Sequence, residues 1–305
     1  NTLTPSTNSF NLLLPSPLDS QLLLELFLIH PDYLRVSSLD LTDKSFCHLR
    51  TILFSKTDSQ DINKPWHPDP KMPNSKKYQN RIVSKSGIVL GYTKRAKYRG
   101  SNTRYVYDIM IDFTGAYFAN LNLLEQIKRI NYLNSNWQLK CHRLDVAIDD
   151  YSRKLFPVCQ MIAAFLRGDN FGFQVIDDSY LNIIDNLLVG TLGIGSRRST
   201  LFIRIYTKHR LFVRYEAELK QSKASKLFVE LANLHESKHS DISLIKDTQK
   251  ALANAALSCL DFRDKSSIIS PKNATRARTN RLLFWSQIIN TIFLYIEILD
   301  EVSSE

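Results

Sequence analysis

Residues 200–220 read TLFIRIYTKHRLFVRYEAELK. Two alternating runs, 200–208 and 212–220, are joined over about four residues, His209 to Phe212, and this spacing predicts a β-hairpin. Side chains alternate along a strand, so parity assigns faces. Arg204, Tyr206 and Lys208 share one face of the first run, with Ile203 and Ile205 behind them. Arg214, Glu216, Glu218 and Lys220 share one face of the second, with Tyr215, Ala217 and Leu219 behind. Upstream, residues 138–149 (QLKCHRLDVAID) divide in the same way. Leu144, Val146 and Ile148 point one way, and Arg143, Asp145 and Asp149 the other, with the small Ala147 between the two acids. A sheet with one apolar and one charged face is the expectation.

Further strands are expected over 86–93, 104–113 and 187–194. Helical spacing of apolar residues marks 119–134, 155–167, 224–235, 242–262 and 282–302. Because the strands come in hairpins, the fold class is α+β: a largely antiparallel central sheet, flanking helices and a helical C-terminal part. Three regions follow. Residues 1–75 are an N-terminal arm, a small helical cap over 21–56, and a linker carrying Pro65, Pro68, Pro70 and Pro73. Residues 76–235 are the core, and residues 236–305 the C-terminal helical region.

The chain has 305 residues, 44% of them hydrophobic, enough for a substantial core. Forty Lys and Arg against 30 Asp and Glu give a net charge of +10, which favours a polyanionic partner, nucleic acid first. Residues 71–104 hold ten Lys or Arg and no acid, interleaved with Tyr78, Tyr92, Tyr98 and Tyr105. Within them Lys94, Arg95, Lys97 and Arg99 lie between two expected strands, as a basic hairpin tip suited to a phosphate backbone. A second basic tract at 271–281 carries Lys272, Arg276, Arg278 and Arg281. Cys47, Cys141, Cys159 and Cys259 show no paired spacing, which excludes a cysteine zinc cluster and points to a reducing compartment. No basic segment precedes the short apolar run near the N-terminus, so no signal peptide is expected. The most apolar stretch, 282–299, is interrupted by Ser286, Gln287, Asn290, Thr291 and Glu297, so no membrane span is expected.

On the charged face, carboxylates from different strands suit Mg²⁺ or Mn²⁺, which take oxygen donors and leave positions open for phosphate. Arginine and lysine neutralise charge on a reacting phosphate, and a tyrosine is a nucleophile for phosphorus. The same alternation also describes a half-exposed sheet with cross-strand Arg–Glu pairs. The turn over 193–199, GIGSRRS, tips the balance towards phosphate, because its two glycines, two serines, Arg197 and Arg198 lead directly into the tyrosine strand. Among 13 tyrosines, Tyr206 stands out: Tyr215 falls on the opposite face, and Tyr151, just after the acidic pair, is the competitor.

In order along the chain, FTGAYFANL (113–121), RLDVAIDD (143–150), GIGSRRSTLFIRIYTK (193–208), RYEAELK (214–220) and LDFRD (260–264) followed by Trp285 resemble the replication initiation factor family of rolling-circle plasmids (Rep_trans), which includes relaxases of some integrative conjugative elements. The resemblance spans residues 85–290 and implies a DNA-nicking transesterase. It implies Tyr206 as nucleophile and Asp145 and Glu216 as ligands of Mg²⁺ or Mn²⁺, with Asp149 and Glu218 as weaker candidates. Lys208, Arg204 and Arg197 would lie at the scissile phosphate, and Lys94, Arg95, Lys97, Arg99, Arg198 and Arg214 on the DNA. It further implies origin DNA, a homodimer and a replicative helicase as partners, in the bacterial cytoplasm. The other rolling-circle class, with its histidine–hydrophobic–histidine triplet, is excluded because His142 and His235 have no histidine two residues away. His235-Glu236-Ser237-Lys238-His239 has the His-Glu-x-x-His spacing of the zinc-protease helix pattern, but it falls at the end of an expected helix and reads as an exposed polar helix end.

Overall fold

The structure is a computed structural model describing residues 27–54, 59–62, 78–99, 101–137, 139–171, 176–177, 182–184, 187–189, 191–208, 211–236, 240–265 and 279–302. In chain order its strands are β1 (Phe27–Thr42), β2 (Ser59–Ile62), β3 (Asn80–Ser84), β4 (Ile88–Arg99), β5 (Asn102–Phe113), β6 (Lys140–Asp150), β7 (Asn170–Phe171), β8 (Ile176–Asp177), β9 (Asn182–Ile184), β10 (Leu187–Val189), β11 (Thr191–Ile194), β12 (Leu201–Lys208), β13 (Phe212–Lys220) and β14 (Asp261–Phe262). Its helices are α1 (Asp43–Leu53), α2 (Gly115–Phe118), α3 (Leu123–Trp137), α4 (Val158–Leu166), α5 (Gln221–Glu236), α6 (Asp241–Leu257) and α7 (Leu283–Val302). Ten strands form one antiparallel sheet in the order β2-β3-β4-β5-β1-β6-β13-β12-β11-β8. The α+β expectation holds.

One face of this sheet is the core. Ile29, Val36, Leu144, Ile148, Ile203 and Tyr215 are fully buried there, together with Leu227, Phe228 and Leu231 of α5 and Ala253 and Ala256 of α6. Each large aliphatic side chain taken out of water contributes roughly 1.5–3 kcal/mol. Tyr215 reaches through this layer and donates its hydroxyl to the Ala256 carbonyl (3.1 Å), which satisfies a polar group that burial would otherwise penalise. Phe27 meets Tyr295 edge-on at 5.8 Å, so α7 closes on the start of β1. Helix starts follow their caps: the Thr42 side chain accepts from the Ser45 amide at α1, and Ser240 from the Ser243 amide at α6. No helix of the described residues is long and apolar enough to cross a membrane.

Two sequence expectations are corrected. The 21–56 stretch is not simply a helical cap: α1 is helical, but Phe27–Thr42 is a 16-residue strand at the centre of the sheet, between β5 and β6. Proline in a central strand argues against strand assignment, because it lacks the ladder N–H. Here Pro31 sits where the β1–β6 register shifts past Asp32, and a second shift against β5 lies between Ser38 and Leu41. Each bulge reverses the side-chain parity and so breaks the alternation on which a sequence reading depends. Second, the basic cluster does lie at the end of a hairpin, but in strand rather than in an extended tip. Strand β4 runs through Lys94 to Arg99, pairing Lys97 with Arg104 and Arg99 with Asn102, so the cluster forms one strand of a projecting two-stranded arm. The tract expected at 271–281 lies outside the described residues, apart from Thr279, Asn280 and Arg281.

Candidate active site

The opposite face of the sheet is charged, as parity predicts, yet many of its side chains are buried, packed against one another in ion pairs. Strands β12, β13, β6 and β1 supply them. Register places Arg204 opposite Glu216, Glu216 opposite Ala147 and Ala147 opposite His30. The methyl group of Ala147 is therefore the low point between two longer side chains.

At the centre, the Tyr206 hydroxyl donates to Glu216 Oε2 at 2.8 Å, and Arg204 Nη2 pairs with Glu216 Oε1. Arg204 Nε is buried and has no hydrogen-bond partner among the described residues, an unsatisfied donor beside the phenol. Burial, and then the charge of Glu216, push the Tyr206 phenol well above its ordinary value of about 10; Arg214 opposes them. The resting tyrosine is therefore neutral, and its proton already points at a carboxylate.

Next along the strands, Arg143 chelates Asp145 through Nε (2.8 Å) and Nη2 (2.5 Å), and Nη2 lies 3.0 Å from Glu218 Oε2. Glu218 Oε1 pairs with Lys220 at 2.6 Å. The ring of Tyr33 lies under Arg143, 4.4 Å from the guanidinium carbon, and Arg35 Nη2 donates to its hydroxyl at 2.8 Å. Asp145 is 1% exposed, and burial lifts its carboxyl up to about 7; Arg143 opposes this, and the charges of Glu216 and Glu218 add to it.

On the other side of Tyr206, Arg214 binds Asp149 through Nε (2.5 Å) and Nη2 (2.7 Å), and Asp32 through Nη1 (2.5 Å). His30 Nε2 lies 3.2 Å from Asp149 Oδ2, and its Nδ1 lies 2.9 Å from the Pro31 carbonyl. Burial raises the Asp149 carboxyl, but the hydrogen bonds from His30 and Arg214 outweigh it and hold the group below its ordinary range.

The structure thus brings together Tyr206, Arg204 and Glu216, with Asp145 and Glu218 beside them. Lys208 shares the face but stands at the strand end opposite Phe212; the cation opposite Tyr206 in register is Arg214. Arg214 is a correction: its side chain is 3% exposed and fully engaged with carboxylates, so it is no DNA contact. Those same bonds engage both oxygens of Asp149, as Arg143 engages both oxygens of Asp145. Arg197 and Arg198 are exposed in the turn before β12, Arg197 lying 5.4 Å over the Phe202 ring. Lys94, Arg95 and Lys97 are exposed on the arm; the Arg99 side chain lies outside the described residues. Tyr215 is on the core face, and Tyr151 packs on Phe212 (4.8 Å) beyond the end of β6. Sequence reading missed His30, Asp32, Tyr33 and Arg35, all on β1. Their signal was a dense polar series between Ile29 and Val36, masked by Pro31.

Among the described residues, no three His, Cys, Asp or Glu side chains converge as a metal-ligand group. No protein family model matches the chain, and no curated protein matches it. One solved structure, of a rolling circle replication initiator protein from Geobacillus stearothermophilus, is similar to it with a TM-score of 0.57 and 15% identity, over 88% of this chain and 97% of that one. The likeness is one of fold.

Proposed function

We propose that the chain is a DNA-nicking tyrosine transesterase of the rolling-circle initiator type. The observation that carries this reading is the Tyr206–Glu216 hydrogen bond, with Arg204 on the second carboxylate oxygen. The fold likeness to a rolling circle replication initiator supports it. In the reaction, Tyr206 Oη attacks the scissile phosphorus, a P–O(Tyr) bond forms and the P–O3′ bond breaks. The phenolic proton passes to Glu216, and the departing 3′ oxygen takes a proton from solvent. The products are a 5′-phosphotyrosine and a free 3′-OH. One phosphodiester replaces another, so the strand remains able to be rejoined. Arg204 steadies the charge on the phosphorane oxygens.

Asp145, Glu216 and Glu218 are the carboxylates this face offers to a hard divalent cation, and each would exchange a present partner, Arg143, Arg204 or Lys220, for the ion. Asp145 and Glu216 would hold Mg²⁺ or Mn²⁺, with Glu218 in reserve; a magnesium site commonly takes one or two carboxylates and completes itself with water and phosphate. Such an ion supplies positive charge to the phosphate oxygens. A homodimer, a replicative helicase, origin DNA and a bacterial cytoplasmic setting belong to the same reading, as does its variant, a conjugative relaxase with identical chemistry.

A second reading, a non-catalytic DNA-binding protein, draws on the cation partners that Asp145, Glu216 and Glu218 already have. The two part in one experiment: incubation with an end-labelled, randomised single-stranded DNA library and Mn²⁺, followed by a denaturing gel. A covalent protein–DNA species that disappears in Tyr206→Phe supports the transesterase. DNA retention without any adduct supports the binding protein.

A further inference from the structure

The β4–β5 arm has two unlike sides, and register sets the difference. Arg95, Lys97 and Arg104 stand on the side that continues the charged face of the candidate site. Arg95 donates to Asp108 (2.7 Å) and Asp40 (3.0 Å), and Lys97 to Asp40 (3.0 Å). Lys94, Tyr98 and Tyr105 stand on the other side. Register puts the small Ala96 opposite Tyr105 and Thr103 opposite Tyr98, so no bulky cross-strand neighbour covers either ring. Tyr98 is 75% exposed and Tyr105 52%. Lys94 Nζ lies 4.5 Å from the Tyr105 ring centroid.

At the root of the arm the same row is core: Tyr107 stacks on Phe46 with centroids 4.1 Å apart, and its hydroxyl donates to Asp43 at 2.8 Å. Farther out the aromatic row continues with both rings exposed among the described residues, Lys94 alone lying over Tyr105. Two open rings on a segment with ten cations and no acid over residues 71–105 suit an anionic ligand that offers flat, unpaired π-faces. An unpaired strand offers those faces, whereas a duplex keeps its bases stacked on one another and offers only edges in its grooves.

We propose that Tyr98 and Tyr105 form a stacking site for bases of single-stranded DNA, with Lys94 beside them and Arg95, Lys97 and Arg104 following the backbone on the other side of the arm. The inference rests on the nucleic-acid reading above and is independent of the nicking chemistry. Fluorescence anisotropy of the full chain in EDTA, with a labelled single-stranded oligothymidine and a duplex of equal length across a salt series, tests it. The Tyr98→Ala/Tyr105→Ala variant should bind the single strand about 10- to 100-fold more weakly, with an unchanged salt slope and unchanged duplex affinity. The Phe/Phe variant should bind like the parent. Lys97→Gln/Arg104→Gln should reduce the single-strand salt slope by about 1.4. Parental single-strand affinity in a folded Ala/Ala variant, or an equal loss for duplex, overturns the proposal. The adduct assay separates it from the nicking reading: adduct formation with an indifferent arm removes only the arm, and an arm that binds in a chain forming no adduct removes only the nicking.

Discussion

Tyr206 shares its partner Glu216 with Arg204, so removing the phenolic oxygen leaves the carboxylate paired. Tyr206→Phe should therefore fold, with a stability loss near 1 kcal/mol for one hydrogen bond, and should form no adduct on a denaturing gel. A variant with parental adduct levels, and Tyr151→Phe inactive instead, would place the nucleophile beyond Asp150. Asp149 obeys a different logic. It balances a buried arginine, and its loss strands that charge. Asp149→Asn should cost about 3–5 kcal/mol in urea unfolding. The native Asp149 carboxyl titrates below its unfolded value near 3.9. Its contribution is thus complete above that pH and lost as pH falls through the native value. Urea midpoints of wild type and Asp149→Asn should keep a constant gap from pH 7 to about pH 4 and draw together below it; curves that stay parallel into the acid range would contradict the sign.

At the scale of elements, strand β1 is the piece that completes the site. It contributes His30 and Asp32 to the Arg214 cluster, Tyr33 beneath Arg143, and Arg35, which chelates Asp112 at 2.7 and 2.8 Å. Its bulges aim these groups onto one face. The β3–β4 turn shows how tightly a connection is specified. Gly87 has φ +93°, and a Cβ there would lie 2.4 Å from Thr114 Oγ1, the hydroxyl that donates to the Gly87 carbonyl at 2.9 Å. Gly87→Ala should destabilise by more than about 1 kcal/mol in thermal unfolding, and Thr114→Ala should relieve only the steric share of that loss. Full rescue by the double variant would show that backbone strain is negligible there.

In the whole molecule, β5 and β6 are joined only through β1, so the ten-stranded sheet divides into two halves without it. A fragment beginning at residue 76 has most of the strands and all of α3 to α7, yet it exposes two unpaired strand edges and the apolar surface that Ile29, Leu34 and Val36 cover. It should show no cooperative thermal transition by circular dichroism, whereas a chain beginning near residue 26 should melt like the parent. A stable fragment 76–305 would return the first 75 residues to the status of an appendage. The helices of 236–305 likewise pack into the common core, through Ala256 against Tyr215 and Tyr295 against Phe27, rather than forming a separate unit.

Parity along regular strands is a local property, and so the charged face of β6, β12 and β13 was legible residue by residue: Tyr206, Arg204, Glu216, Asp145 and Glu218 were all placed on it by alternation, and the helices by their 3.6-residue period. Partners across space were not legible. Nothing in RLDVAIDD distinguishes Asp145, lifted by burial among carboxylates, from Asp149, held down by Arg214 and His30. That difference comes from strands 65 and 119 residues away in the chain. The place of β1 was hidden for the same reason, since bulges that spoil the local period make sense only against the strands on either side. Local sequence fixes which face a side chain takes, but its charge environment is a sum over neighbours that only the assembled sheet brings within reach.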